Sequence, residues 1–256
     1  MALWHHYRVH VTAYLRRIGL SAPVPIDRNG LERLQRAHLT AVPFENLDVF
    51  YGRGVETGSD WSVPKVVERR RGGWCYELNG AFAALLEGIG FNVKRLGAFV
   101  LLDGEAAEHP DHLTLEISLE RPYLVDVGFG DSFIKPLPLD EGGPHDGGTG
   151  YFSFQFAEDM TTLTTVTGSE FQPQYRFGPA PHDLGDFDRS SDLLQHDPEK
   201  SWTKGRLVTR LLDGGPDRVT LLEGRLKFRR NGTWTETPVA EEDWAAALDE
   251  WFGMAP

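Results

Sequence analysis

A single cysteine, Cys75, lies in the segment RGGWC (71–75), directly before an amphipathic helix predicted over residues 76–89. The two glycines let the backbone approach its neighbours closely. The unpaired N–H groups and the positive end of the helix dipole favour a negative charge at this position. Free cysteines are most often small buried hydrophobic residues. This setting, with three arginines at 69–71 nearby, is instead typical of a reactive thiolate.

A thiolate nucleophile needs an imidazole to exchange its proton, and the chain has nine histidines. His112 differs from the others because it begins HLTLEI, a predicted strand whose end would hold a side chain rigidly. Asp126 lies in the middle of a second predicted strand, LVDVGF, where an aspartate is unfavourable unless it has a partner. The ring of His112 is one such partner, and the amides of the following GFG turn are the alternative. Cys75, His112 and Asp126 are thus candidates for nucleophile, base and orienting carboxylate.

Composition excludes several other functions. The net charge of −12, from 26 basic against 38 acidic residues, repels nucleic acid at long range. The sequence contains no P-loop, GxSxG or CxxC motif, and the histidine pair His109 and His112 lacks the spacing of a zinc site. One cysteine forms no internal disulfide. The first residues lack the basic flank and apolar run typical of a signal peptide, and no run of about 20 apolar residues occurs. We therefore expect a cytoplasmic protein that binds no metal, nucleic acid or membrane.

The elements that must position these residues change in type along the chain. Helices are predicted over residues 4–38 around a proline-containing break, over 63–68, over 76–89 and, at the end of the chain, over 240–252. Strands are predicted over residues 91–102, 112–120, 123–129, 151–157, 162–168, 206–212, 217–224 and 225–230. Segment 41–50 is interpreted as a shaped loop and segment 140–150 as a disordered one. This order predicts an α+β fold with Cys75 in the cleft between a helical and a β lobe.

Five segments of the chain resemble, in order, the motifs of the arylamine N-acetyltransferases. Three are similar to the catalytic segments of that family: RRGGWCYELNG (70–80), DHLTLEI (111–117) and VDVGFG (125–130). Two more are similar to its first-helix signature and to its His-to-PFENL segment: AYLRRIGL (13–20) and HLTAVPFENLDV (38–49). The resemblance is strongest over residues 13–139 and extends more loosely to the closing helix.

The resemblance implies the fold and the reaction. The implied lobes are a helical bundle over residues 1–90, a β-barrel domain over 91–190 and an α/β lid over 191–256. The implied Cys-His-Asp triad maps onto Cys75, His112 and Asp126. In the implied ping-pong cycle, Cys75 takes an acyl group from a thioester, usually acetyl-CoA, and passes it to an arylamine or hydrazine. No tightly bound cofactor is expected.

The same resemblance implies roles for five further residues. Phe44, Phe129 and Trp74 are expected to contact the substrate. Glu45 of the PFENL segment is expected to pair with Arg71 and so to brace the loop before the nucleophile, which is a structural role.

Other functions stay open on the sequence alone. A branch of this family closes ansamycin-type macrolactams by joining a polyketide, delivered by an acyl carrier protein, to the chain's own aromatic amine. The chain is short in the C-terminal lobe that helps to form the CoA cleft, which makes such an amide synthase the main alternative. A papain-like hydrolase would bring its histidine much later in the sequence, together with an asparagine. A binding protein that keeps the fold without a reactive thiol is the last alternative.

Overall fold

The computed structural model describes residues 11–101, 107–213 and 215–256. Helix α1 covers residues 11–17, and the part of the predicted first helix before residue 11 lies outside the described residues. Helix α2 (Arg28–Ala41) begins after Asp27, whose side chain accepts the Gly30 N–H at 2.8 Å and so caps the helix.

The segment after α2 is more regular than the sequence indicated. It forms strand β1 (Phe44–Glu45) and a short helix α3 (Leu47–Phe50), so the prediction of a loop over residues 41–50 is wrong in part. The reason is a strand partner far along the chain: Phe44 pairs with Thr209, and no local pattern reveals such pairing.

Helices α4 (Ser59–Val67) and α5 (Cys75–Ile89) complete the helical part before the sheets. Helix α5 matches its prediction and begins one residue earlier, at Cys75 itself. Leu78, Phe82 and Leu86 are fully buried on its inner face. The helix ends at Gly90, whose φ of 116° lies in the left-handed region that glycine adopts without strain.

The middle of the chain forms an eight-stranded antiparallel sheet. Its strands are β2 (Asn92–Val100), β3 (His112–Ser118), β4 (Pro122–Val125), β5 (Leu137–Pro138), β6 (His145–Asp146), β7 (Tyr151–Ala157), β8 (Met160–Thr167) and β9 (Glu170–Pro181), in the spatial order β5-β4-β3-β2-β9-β8-β7-β6. The sheet curls until its edge strands β5 and β6 approach each other, as in a nearly closed barrel. Segment 140–150, predicted to be disordered, contains β6 because its backbone pairs with β7.

The last part of the chain contains helices α6 (Asp188–His196), α7 (Ser201–Lys204) and α8 (Trp244–Phe252), and strands β10 (Leu207–Leu211), β11 (Arg218–Leu222), β12 (Arg225–Arg230) and β13 (Thr233–Pro238). The second sheet has the order β1-β10-β11-β12-β13, so the N-terminal segment supplies one of its edges. Helix α8 packs on this sheet through Trp244 and Leu248, which are almost fully buried.

The predicted α+β architecture, with its helical part and barrel-like sheet, is confirmed. The division into lobes at residues 90 and 190 stays a prediction. Among the residues that the structure describes, no helix has both the length and the apolar character needed to cross a membrane.

Candidate active site

Cys75 is the first residue of α5 and is 9% exposed. The two glycines before it are required by close contacts. A Cβ atom on Gly72 would lie 1.9 Å from the carbonyl oxygen of Pro43, and one on Gly73 would lie 2.4 Å from a carboxylate oxygen of Glu77. The sequence prediction that the backbone approaches its neighbours closely here is confirmed, and the tight loop fixes where the sulfur lies.

His112 is the first residue of β3 and is buried. Its Nε2 lies 2.6 Å from Oδ2 of Asp126, so Nδ1 is the ring nitrogen that can serve Cys75. Burial lowers the pKa of His112, but the carboxylate of Asp126, together with the contact to Cys75, outweighs burial and raises this pKa to about 10. The ring therefore carries a positive charge at neutral pH, next to the sulfur.

The prediction that Asp126 lies in the middle of a strand is wrong. Strand β4 ends at Val125. Asp126 is the first residue after the strand, and its Oδ1 accepts the N–H of Gly128 at 2.9 Å in the turn that follows. Its Oδ2 faces His112, so both partners left open by the sequence are present, each on a different oxygen. Burial raises the pKa of Asp126, but the charge of His112 and the hydrogen bonds to the carboxylate hold it below its ordinary value.

Two buried residues that the sequence analysis missed hold this carboxylate. Asn79 donates from Nδ2 to Oδ1 of Asp126 at 2.9 Å, and its Oδ1 accepts the N–H of Val127 at 2.9 Å. Tyr175 donates its hydroxyl to Oδ2 of Asp126 at 3.0 Å, and its ring centroid lies 5.0 Å from that of His112. Burial, together with the charge of Asp126, raises the pKa of Tyr175 well above its ordinary value, so the hydroxyl stays a donor.

Only one of these two residues left a signal in the sequence. Asn79 lies four residues after Cys75 within the motif ELNG, on the same helix face. Tyr175 comes from β9, a strand that was not predicted, and is 49 residues away from Asp126.

The expected pair of Glu45 and Arg71 is present, with Nη2 of Arg71 2.8 Å from Oε1 of Glu45. The ion-pair network continues beyond it. Arg71 also lies 3.3 Å from Asp48, and Nζ of the buried Lys65 lies 2.7 Å from both Asp48 and Glu77. These pairs connect the PFENL segment, α4 and the first turn of α5. The carboxylates of Glu45 and Asp48 largely neutralise the charge of Arg71. Arg71 therefore adds less positive potential at the thiol of Cys75 than the sequence indicated.

A cavity of about 250 Å³ opens onto the sulfur. The three residues expected to contact the substrate, Phe44, Trp74 and Phe129, line it together with Cys75 and His112. The remaining lining residues are Val100, Asp111, Gly128, Leu194 and Trp202. Leu194 and Trp202 come from α6 and α7, so only the fold reveals them. Within the described part of the chain, no group of three or more His, Cys, Asp or Glu side chains has an arrangement that could hold a metal ion.

Comparison with known proteins gives the family. A family model described as N-acetyltransferase matches residues 27–255. The chain is 33% identical over 227 residues to an arylamine N-acetyltransferase of Mycolicibacterium smegmatis, which covers 86% of this chain and 82% of the relative. The chain belongs to the arylamine N-acetyltransferase family. The resemblance drawn from its five motifs is thereby confirmed, and the protein is an N-acyltransferase.

Solved structures of arylamine N-acetyltransferases share the whole fold. The enzyme from Salmonella typhimurium superposes with a TM-score of 0.90 at 26% identity, over 96% of this chain and 91% of that one. The enzyme from Mycobacterium marinum in complex with CoA superposes with a TM-score of 0.86 at 28% identity, over 95% and 92%. The helical part, the barrel-like sheet and the second sheet of this arylamine N-acetyltransferase family member are therefore those of the family.

Proposed function

We propose that this enzyme moves an acetyl group from acetyl-CoA to a small arylamine or hydrazine, and that Cys75 carries the group between two half-reactions. The observation that carries the proposal is the arrangement of the triad: Cys75 begins a helix beside His112, and His112 is bound to Asp126 at 2.6 Å. The names of the relatives support the acceptor class, and the M. marinum enzyme solved with CoA supports the donor.

In the first half-reaction, the thiolate of Cys75 attacks the carbonyl carbon of the thioester. A new C–S bond forms, the old one breaks, and the leaving thiolate takes a proton from the ring of His112. One thioester replaces another, so the exchange is nearly isoenergetic, and the protonated ring removes the need for a strong base. The first N–H groups of α5 have no partner within the helix and are the candidate oxyanion donors, whose contribution is typically about 3–4 kcal/mol.

In the second half-reaction, the amine nitrogen attacks the acyl carbon on Cys75. A C–N bond forms, the C–S bond breaks, and the amine proton passes to Nδ1 of His112, which regenerates the thiolate–imidazolium pair. Asp126 holds the ring through Nε2 during both steps. Its bonds to Asn79 and Tyr175 keep the carboxylate from turning away.

The cavity supports a small aromatic acceptor. Its walls include the rings of Phe44, Trp74, Phe129 and Trp202, which suit a flat aromatic ring. Its volume of about 250 Å³ lies just below the ~300–1,000 Å³ of sites for drug-sized ligands. An amine of one or two rings fits this space far better than a polyketide chain delivered by an acyl carrier protein.

Two-substrate steady-state kinetics test the proposal. Varying acetyl-CoA at several fixed concentrations of a hydrazine or arylamine should give parallel double-reciprocal lines, which indicate a covalent intermediate. Cys75→Ala should abolish acetyl transfer. Intersecting lines, or turnover that persists in Cys75→Ala, would contradict the covalent route. A carrier-protein thioester that reacts faster than acetyl-CoA would instead identify the amide-synthase activity.

A further inference from the structure

A second cavity, of about 420 Å³, has none of its lining residues in common with the active-site cavity. Four arginines lie in its wall, in a chain whose net charge is −12. They come from α1, from the loop before Cys75 and from β10: Arg16, Arg17, Arg70 and Arg210. We call this the arginine cavity. Such a concentration of positive charge in an acidic protein needs a physical reason.

The two less exposed arginines are held by neutral backbone oxygens. Arg17 donates to the carbonyl oxygens of Val66 at 3.0 Å, Ala41 at 2.7 Å and Arg70 at 3.3 Å. Arg210 in turn donates to the carbonyl oxygens of Trp251 at 2.8 Å and of Thr40 and Leu211 at 3.1 Å. These bonds orient the two guanidinium groups, and among the described residues no carboxylate lies within ion-pair distance of either one.

Carboxylates are present at the cavity but do not pair with the arginines. Asp249 and Glu250 of α8 line it and are exposed. Among the residues that the structure describes, no ion pair within 4.0 Å joins either carboxylate to any of the four guanidinium groups. This distinguishes the arginine cavity from Arg71 and Arg206, each of which lies against two carboxylates.

Burial and crowding disfavour the charged form of the two less exposed guanidinium groups. Burial, together with repulsion from Arg70 and Arg210, lowers the pKa of Arg17 to about 10. Burial also lowers the pKa of Arg210, and the attraction of Asp213 only partly offsets this effect. A negatively charged ligand would remove this repulsion, and guanidinium groups with fixed planes match the oxygens of phosphate.

We propose that the arginine cavity binds an oxyanion of the phosphate class, with Arg16 and Arg70 as its exposed contacts and Arg17 and Arg210 as its oriented, less exposed ones. The cavity volume of about 420 Å³ is many times the volume of one water molecule, about 30 Å³. The cavity therefore has room for a phosphate group and for part of a larger molecule to which the phosphate is attached. The site is separate from acyl transfer, because its residues line neither the thiol nor the substrate cavity.

Phosphate-dependent thermal unfolding tests the site. The probe is inorganic phosphate at pH 8, titrated against sodium chloride at constant ionic strength, with wild type, Arg16→Gln/Arg70→Asn and the control Arg33→Gln. Asparagine is chosen because Arg70 has a φ of 54°, which asparagine tolerates. Arg33 is an exposed arginine of α2 outside the cavity. Phosphate stabilises most proteins weakly by exclusion, so the comparison among variants carries the result.

We expect a saturable rise in Tm for wild type and Arg33→Gln. The double variant should need at least about tenfold more phosphate, because a hydrogen bond to a charged group contributes ~1.5 kcal/mol or more. Asp249→Asn/Glu250→Gln should bind phosphate more tightly than wild type. A parallel titration with 3′,5′-ADP compares the affinity of the cavity for a nucleotide phosphate with its affinity for inorganic phosphate. Equal phosphate dependence in all variants, or no saturation in wild type, would overturn the proposal.

Discussion

Asp126→Asn keeps the size of the side chain and removes the negative charge that faces His112. In the wild type, that charge outweighs burial and raises the pKa of His112 from 6.5 to about 10. Without it, burial is the largest remaining influence, and it lowers the pKa of His112. The rise from the ordinary value of 6.5 to about 10 corresponds to about 3,000-fold in the ratio of protonated to neutral ring.

The acetylation rate of Cys75 should fall by a similar factor, on the order of 10³, because the protonated ring stabilises the thiolate. This is close to the ~10⁴-fold loss caused by the equivalent change in a serine protease triad. The pH dependence should change as well. The wild-type rate should decline only as pH rises through about 10, where His112 loses its proton, whereas the rate of the variant should begin to decline at a lower pH.

Quenched-flow measurement of single-turnover acetylation from pH 5 to 10.5 gives both quantities. Asp186→Asn is the matched control, because Asp186 lies 3.4 Å from His182 in a partly exposed pair outside the active-site cavity. Its rate should equal that of wild type. A loss below tenfold in Asp126→Asn, or a variant with the wild-type decline at alkaline pH, would show that Asp126 does not set the charge of His112.

Three further predictions concern the surroundings of the triad. Tyr175→Phe removes the 3.0 Å hydrogen bond to the triad carboxylate and should lower kcat about tenfold with KM unchanged, since one hydrogen bond to a charged group contributes ~1.5 kcal/mol. Arg71→Met leaves the buried carboxylate of Glu45 without its nearest cation and should lower the free energy of unfolding in urea by about 3 kcal/mol. Gly128→Ala places a Cβ atom 2.7 Å from Cα of Cys75, so activity should be lost in steady-state assays and the Tm should fall.

Each of these variants has an outcome that would count against the structure. A large change of KM in Tyr175→Phe would mean that the hydroxyl contacts substrate. An unchanged urea midpoint in Arg71→Met, with Arg33→Met as the control for loss of a surface arginine, would mean that the brace does not stabilise the fold. Full activity in Gly128→Ala would show that the turn lies further from the nucleophile than described.

The sequence was informative where the function depends on local backbone geometry. The glycine pair before Cys75 predicted that the backbone approaches its neighbours closely. A Cβ atom on either glycine would collide with Pro43 or Glu77, so a larger residue cannot replace either one. The apolar period predicted α5, and the alternating residues after His112 predicted β3.

Features that depend on distant pairing were missed or misassigned. Strand β1 forms because Phe44 pairs with Thr209, which is far away in the sequence. Tyr175 contacts Asp126 from the distant strand β9. The residues next to Phe44 and Tyr175 therefore give no local pattern from which these contacts could be predicted. Asp126 was assigned to a strand interior because its neighbours are apolar. The side chain itself ends the strand by binding the N–H of Gly128, a competition that period counting does not register.

Mass spectrometry of the acyl-enzyme determines whether Cys75 carries the acetyl group during turnover. The enzyme is incubated with acetyl-CoA without an amine, quenched in acid, digested and mapped, and a second sample receives a hydrazine before the quench. We expect one acetyl group on the peptide containing Cys75, its disappearance when the hydrazine is added, and no adduct in Cys75→Ala. An acetyl group found only elsewhere in the chain, or acetylated hydrazine formed without any adduct on Cys75, would contradict this expectation.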